Sequence, residues 1–410
     1  MQKKTISFCG QTLSIKYPSQ ATEVLNFTFA EFPAGDATNA VAVIEVLYDQ
    51  ETELFSATTS GGAIGTDLDR VDLSLLLSAR AVYSLSHEIT DGMAIHGAAV
   101  RGDSGSVLLP GRSGNSKLIA WLLAQGYGYL TARLLYIPKS TKRFNPLPCP
   151  LSIRQADFSM VEPVIRECIP SDDHLNRVLR NSTSLQFSHR IFTDEPVPEG
   201  QKLACLLFTD HKEDAPLSLD PVSPAQATQR LLGCLANNHT LGMQGFTHLA
   251  ALTRQVPALS LQYADFEEME GILPPIIDFA LETECAPQSL QGILKVFSRL
   301  TSTKRTPLKK SFPVQQATPA RKKRKITIGM ATYDDFDGVF FSVQALRMYH
   351  PEIIDQCEIL VIDNHPDGPC AEALKQLDTS IDSYRYVPLA DVQGTAAGRD
   401  ALFQHAKGDY

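Results

Sequence analysis

Between Lys325 and Gly408 the chain repeats one rhythm three times, a short apolar run followed by a helical segment. The runs are "KITIGMATY", "CEILVIDN" and "YRYVPL"; the segments after them are "DGVFFSVQALRMYH", "AEALKQLDTSI" and "GTAAGRDALFQHAKG". Each helix must carry the chain back across the sheet, so successive strands lie parallel rather than folding as hairpins. An open parallel sheet wound by βα units follows, and such sheets take their ligands outside the carboxyl ends of the strands. The chain stops at Asp409-Tyr410, on the threshold of another expected strand.

The upstream pattern is different. In "MQKKTISFCGQTLSIKY", Ile6 and Phe8, then Leu13, Ile15 and Tyr17, alternate on either side of Cys9-Gly10-Gln11 as a hairpin would. This start has charge but no apolar core of the kind a signal peptide needs. "AVAVIEVLYDQETELFSATTSGG" reads as two more alternating runs hinged at Asp49-Gln50, and Leu73, Leu76, Leu77 and Val82 predict a helix over 71–89. From about residue 94, "AIHGAAV", "GSVLLPG" and "YGYLTARLLYIP" surround a helix from Ile119 in a strand-helix-strand order of α/β type. "KLACLLFTD" is a further strand. "SPAQATQRLLGCLANN" is a helix capped by Ser223, and two or three more helices run up to Arg299.

The net charge of -9 and sequence pI near 5.6 argue against a nucleic-acid partner for the whole protein. Its eight cysteines show no C-x-x-C pair, so neither a zinc site nor a disulfide framework is expected. No stretch approaches the ~20 apolar residues of a spanning helix, which predicts a cytoplasmic protein. One segment breaks the acidic background. "RLTSTKRTPLKKSFPVQQATPARKKRK", residues 299–325, carries ten Lys and Arg and no acid. Without those ten, 27 basic residues face 46 acids, a charge near -19 for the rest. The segment reads as an extended, solvated tether, with contact to an anionic membrane surface as the alternative. The expected organisation is a β-rich segment (1–90), an α/β domain (91–298), the basic linker (299–325) and the parallel-sheet domain (326–410).

"LLPGRSGNSKLIAWLL", residues 108–123, has the setting of a phosphate-binding loop between strand and helix. On the pattern G-x-x-x-x-G-K-[ST], Gly111 and Lys117 fit, with Ser113 and Gly114 between them. Ser116 replaces the second glycine, and Leu118 replaces the hydroxyl that would hold Mg²⁺. The stretch "HGAAVRGDSGSVLLPGRSGNSKLIAWLLAQGYGYLTARLLYIP", with "PLSLDPVSPAQATQRLL" and "PALSLQYADFEEME", resembles the HPr kinase/phosphorylase-like family of P-loop domains over most of residues 90–285. In that family a strand after the loop helix ends in an acidic pair; here it reads Thr131-Ala132-Arg133. The resemblance therefore implies a P-loop fold stripped of its metal hydroxyl and its acidic pair, kept for shape or for binding ATP or another nucleotide without turnover. Lys117, aided by Arg112 and Arg133, would hold the phosphate. His96 falls where the family has a histidine near its site, or serves as a structural residue at the start of its strand.

The C-terminal segments "ITIGMATYDDFDGVFFSVQALRMYHPE", "EILVIDNHPDGP" and "YVPLADVQGTAAGRDALFQHAKGDY" are similar, in order and spacing, to the opening of a family 2 glycosyltransferase with the GT-A fold. The resemblance implies a nucleotide-sugar donor held by Thr332, Tyr333, Asp334, Asp363 and Asn364, with Arg399 approaching the diphosphate. It also implies Mg²⁺ or Mn²⁺ for the intact transferase, although the metal motif and the acceptor's base belong to segments following "GDY". The chain as far as Tyr410 is thus expected not to transfer sugar by itself. A non-catalytic nucleotide- or peptide-binding module, or an atypical ATP-dependent kinase, are the alternatives.

Overall fold

The structure, a computed structural model, describes residues 1–111, 115–159, 161–162, 177–192, 196–282, 294, 297, 324–390 and 394–410. Arg112, Ser113 and Gly114, and the linker apart from Arg324 and Lys325, lie outside these residues. The chain is mixed α/β and divides into two compact units. The first comprises Met1–Val222 and Ala227–Arg305, the second Thr306–Tyr410 with Ser223–Gln226.

The first unit opens with β1 (Gln2–Phe8) and β2 (Gln11–Tyr17), paired antiparallel about Cys9 and Gly10. Both turn residues have positive φ, 48° and 79°, the conformation a two-residue hairpin loop requires. Helix α1 (Thr22–Thr28) follows, then β3 (Ala40–Tyr48), β4 (Phe55–Thr59) and β5 (Gly62–Leu68), completing a five-stranded sheet in chain order. Helix α2 (Arg70–Ser86) begins where the Asp69 carboxylate accepts from the amides of Val71 and Asp72. Leu73, Leu77, Ala81 and Leu85, four residues apart, form its buried stripe. That stripe shares one core with Ile6, Leu13 and Ile15 of the hairpin and with Ala94, Leu134 and Tyr136 farther on.

The central sheet begins with β6 (Gly92–Arg101), which pairs antiparallel with β7 (Ser106–Pro110) on one side. Helix α3 (Ser116–Ala124) then returns the chain to the other side of β6, where β8 (Gly128–Thr131) and β9 (Leu134–Pro138) both pair with it. "YGYLTARLLYIP" is thus two strands, broken at Ala132-Arg133. Next come β10 (Arg143–Pro146), then β11 (Leu151–Arg154), β12 (Val178–Arg180) and β13 (Ser184–Phe187), the last three forming a small antiparallel sheet centred on β13. Strand β14 (Gln201–His211) lies parallel to β7. Strand β10 pairs with both β9 and β14, so β9, β6, β7, β14 and β10 close into a ring.

Beyond β14 come β15 (Ser218–Val222), α4 (Pro224–Leu232), α5 (Asn238–Leu241), α6 (Met243–Thr253), β16 (Ala258–Tyr263) and α7 (Leu273–Glu282). Strand β16 pairs parallel with β14 and antiparallel with β15. Ser223 caps α4 in a reciprocal box: its Oγ accepts from the Gln226 amide, and its own amide donates to Gln226 Oε1. Apolar residues of α3 and α7 pack on one face of the central sheet and those of α4 and α6 on the other.

In the second unit, β17 (Ile326–Thr332), β18 (Cys357–Asp363) and β19 (Tyr384–Pro388) form an all-parallel sheet with β18 in the middle. All seven residues of β18 are buried, as expected for a strand covered on both faces. The crossovers are α8 (Phe336–Tyr349) with the short α9 (Pro351–Ile354), then α10 (Ala371–Ser380); α11 (Gly394–His405) follows β19. The Tyr410 carbonyl accepts from Thr327 N at 2.8 Å on β17. Among the described residues no helix is long and apolar enough to cross a membrane.

Candidate functional site

In the first unit, β7 is followed by Gly111, whose φ of 145° favours glycine and whose amide donates to His96 O at 3.1 Å. Beyond residues 112–114, Asn115 is buried and bonds in two directions. Its Nδ2 donates to Leu109 O (2.9 Å), and its Oδ1 accepts from Thr209 Oγ1 (2.6 Å) near the end of β14. Ser116 opens α3 without the positive φ that a substituted glycine position would have imposed. Leu118 has no exposed surface and lies in the core with Ile119 and Trp121, so the position of the metal hydroxyl belongs to packing.

Lys117 points into a cavity of about 370 Å³ also lined by Arg133, Ser152, Arg154 and Asp157. Its Nζ lies 3.4 Å from Asp157 Oδ1, while Arg154 Nε donates to Asp157 Oδ2 at 2.7 Å. Burial pushes the Asp157 carboxyl up, but the Arg154 hydrogen bond and the Lys117 charge outweigh it and leave the group below its ordinary value. Where the resemblance expects an acidic pair, Thr131 is buried with its hydroxyl on Leu147 O, and Arg133 lines the cavity. Gly111, Ser116, Lys117 and Arg133 therefore meet around one space. Arg154 and Asp157, which complete it, were not among the residues the sequence singled out. They come from a strand end and a 3₁₀ turn that carry no motif.

In the second unit, the carboxyl ends of β17 and β18 stand side by side, with Thr332 opposite Asp363. Both are buried. Asp363 Oδ1 accepts from the His365 amide (2.9 Å) and Oδ2 from the Tyr386 hydroxyl (2.7 Å). Burial and the adjoining carboxylate hold that phenol well above its ordinary range, so Tyr386 stays a donor. Tyr333 is 66% exposed and stacks on His365, ring centroids 4.7 Å apart and planes 6° off parallel. Asp334 adopts φ 51°, a conformation that costs a non-glycine residue about 1–2 kcal/mol. Its Oδ2 lies 2.5 Å from His365 Nδ1, while its Oδ1 is buried without a hydrogen-bond partner. Asn364 Oδ1 is likewise buried and unpartnered, and its amide group faces Gly398 of α11, where a Cβ would crowd it at 3.1 Å. Arg399 is exposed on α11.

Thr332, Tyr333, Asp334, Asp363 and Asn364 are thus gathered at one edge, and His365, unremarked in the sequence, links three of them. A histidine directly after an Asp-Asn strand end was the available signal. Asp335 caps α8 through the Gly338 amide at 2.8 Å. Among the described residues no group of three His, Cys, Asp or Glu is arranged to hold a metal ion. Comparison with known proteins finds no matching family model and no matching curated protein.

Proposed function

We propose that the second unit is the donor-binding part of a nucleotide-sugar-dependent glycosyltransferase of the family 2 type. In the same reading, the first unit is an HPr-kinase-like domain that does not transfer phosphate. One observation carries the first half: two parallel strands end side by side, and the stacked rings of Tyr333 and His365 lie directly beyond them. An exposed aromatic face suits a nucleobase, since base stacking on an aromatic ring contributes about 1–3 kcal/mol. Asp334 and Asn364 each keep one buried oxygen without a hydrogen-bond partner, which would accept from a base or ribose once the side chain turns outward. Asp363 has both oxygens engaged, so its part is to position His365 rather than to grip the ligand. Mg²⁺ or Mn²⁺ would neutralise the departing diphosphate in such a transfer, but the described residues do not make its site.

Titration calorimetry of the full chain with UDP and GDP tests this reading. Binding of at least one nucleotide is expected, weakened tenfold or more by Tyr333→Ala and by His365→Ala. Absence of binding, or binding that neither substitution disturbs, rejects it. For the first unit, Leu118 in the core and Arg133 in place of an acid support a domain without kinase chemistry.

A further inference from the structure

We propose that the cleft between α1 and the edge strand β12 is a binding site for a small molecule bearing a carboxylate at each end. The cleft has a volume of about 450 Å³, lies wholly within the first unit and shares no residue with the Lys117 cavity or the donor site. Its lining follows from two local periods. Glu23, Asn26, Phe27 and Ala30 fall at i, i+3, i+4 and i+7, one face of α1 and of the turn after it. Opposite them, Arg177 and Leu179 share one side of the chain entering β12, at the two-residue period of a strand. Arg190 comes from the 3₁₀ turn after β13 (His189–Ile191), and Arg70 is the first residue of α2. Among the described residues the lining thus holds three guanidinium groups and one carboxylate, that of Glu23.

The elements that carry these groups are fixed to one another by buried hydrogen bonds. Thr28 Oγ1 lies 2.8 Å from Ser74 Oγ, which donates to Gln186 Oε1 at 2.7 Å, and Gln186 Nε2 donates to Val71 O at 2.9 Å. This relay joins α1, α2 and β13. Asn181, in the turn between β12 and β13, donates to the Asp69 carboxylate at 2.9 Å and ties that turn to the start of α2. A site whose walls are already ordered loses less freedom when a ligand enters.

Two ion pairs border the cleft, and they differ. Arg190 Nε donates to Glu31 Oε1 at 2.5 Å, and the Glu31 side chain is only 8% exposed, so this carboxylate holds its guanidinium in one orientation. The Arg190 carbonyl accepts from Arg177 Nη1 at 2.7 Å, which sets the two arginines side by side. Arg70 and Glu23, 2.9 Å apart, are 61% and 71% exposed, and water screens such a pair until little net strength remains. Glu23 is therefore the partner that yields its arginine to a ligand. Glu23 and Glu31 are eight residues apart along α1 and its following turn, so their arginines address points on the order of 10 Å apart. One carboxylate cannot reach both. A chain with a carboxylate at each end can, its apolar middle lying over Phe27, Ala30 and Leu179. Planar guanidinium forks match carboxylates in bidentate geometry.

The test is titration calorimetry of the full chain with adipate, with acetate and with inorganic phosphate. Saturable binding of adipate is expected, at least tenfold tighter than that of acetate or phosphate. Arg70→Gln and Arg177→Gln should each weaken it at least fivefold. Arg70→Gln is the decisive variant, because its largely exposed side chain stays out of the core and the protein folds without it. Glu23→Gln should tighten binding about threefold, since it removes the competing charge while keeping its shape. Acetate or phosphate binding as strongly as adipate, adipate binding that Arg70→Gln leaves intact, or no adipate binding to wild type and Glu23→Gln alike would overturn the proposal.

Discussion

At position 118 a hydroxyl would complete a working phosphate loop, yet the leucine there is fully buried beside Ile119 and Trp121. Restoring the motif therefore conflicts with the core. Leu118→Ser is expected to cost about 3 kcal/mol or more, from the lost apolar burial, the cavity it leaves and the hydroxyl it buries. It should also confer no Mg²⁺-dependent ATP binding. Denaturant unfolding and calorimetry check the two parts, and a stable variant that binds Mg-ATP would contradict both. His365 illustrates the opposite case, a residue whose importance comes from its neighbours. Its amide, ring face and Nδ1 contact Asp363, Tyr333 and Asp334 respectively.

Among the elements, the join between β6 and the loop before α5 combines a backbone bridge, Ile95 opposite Leu235, with one buried side chain. Asn237 is fully buried, accepts from Ala94 N at 3.0 Å and donates to Ile89 O and Gly92 O at 2.8 and 2.9 Å. Asn237→Ala strands all three backbone groups, and buried unsatisfied groups cost about 1–3 kcal/mol each. A loss of about 3 kcal/mol in urea unfolding is expected, and a loss below about 1 kcal/mol would show that water replaces the amide. The sequence revealed those elements whose pattern is local. The first hairpin showed in its alternation, and β17 to α11 in the change from apolar run to helical spacing. It did not reveal the break between β8 and β9, because "YGYLTARLLYIP" stays β-compatible across Ala132-Arg133 and only pairing with β6 divides it. Strands β15 and β16 were missed for a related reason, since their partners lie in β14 and in each other. The same holds at the sites: Lys117 and Asp363 sit at recognisable strand-to-helix turns, whereas Arg154 and Asp157 reach the cavity only through the packing of β11.

On the scale of the whole protein, acid should destabilise the first unit partly through His248. This half-buried ring on α6 has its Nδ1 buried without a hydrogen-bond partner, and burial, with Lys139 nearby, lowers its affinity for a proton below the ordinary value of 6.5. The unfolded chain therefore takes up the proton first. The contribution to stability is complete above about pH 6.5 and declines as the pH falls toward the lowered folded value. Melting curves from pH 7.5 to 5 should show a smaller decline for His248→Gln than for the wild type; parallel curves would remove His248 from the account.

The ring that β10 closes between β9 and β14 bears on how freely the first unit can deform. A strand in an open sheet can shift along its neighbour, but a closed ladder permits no slip without breaking hydrogen bonds on both flanks. Thr209 and the β8–β9 break that holds Arg133 are thus fixed to one hoop, and that wall of the space beside Lys117 cannot move by sliding strands apart. Adjustment there falls to side chains and to the small sheet outside the ring that carries Arg154.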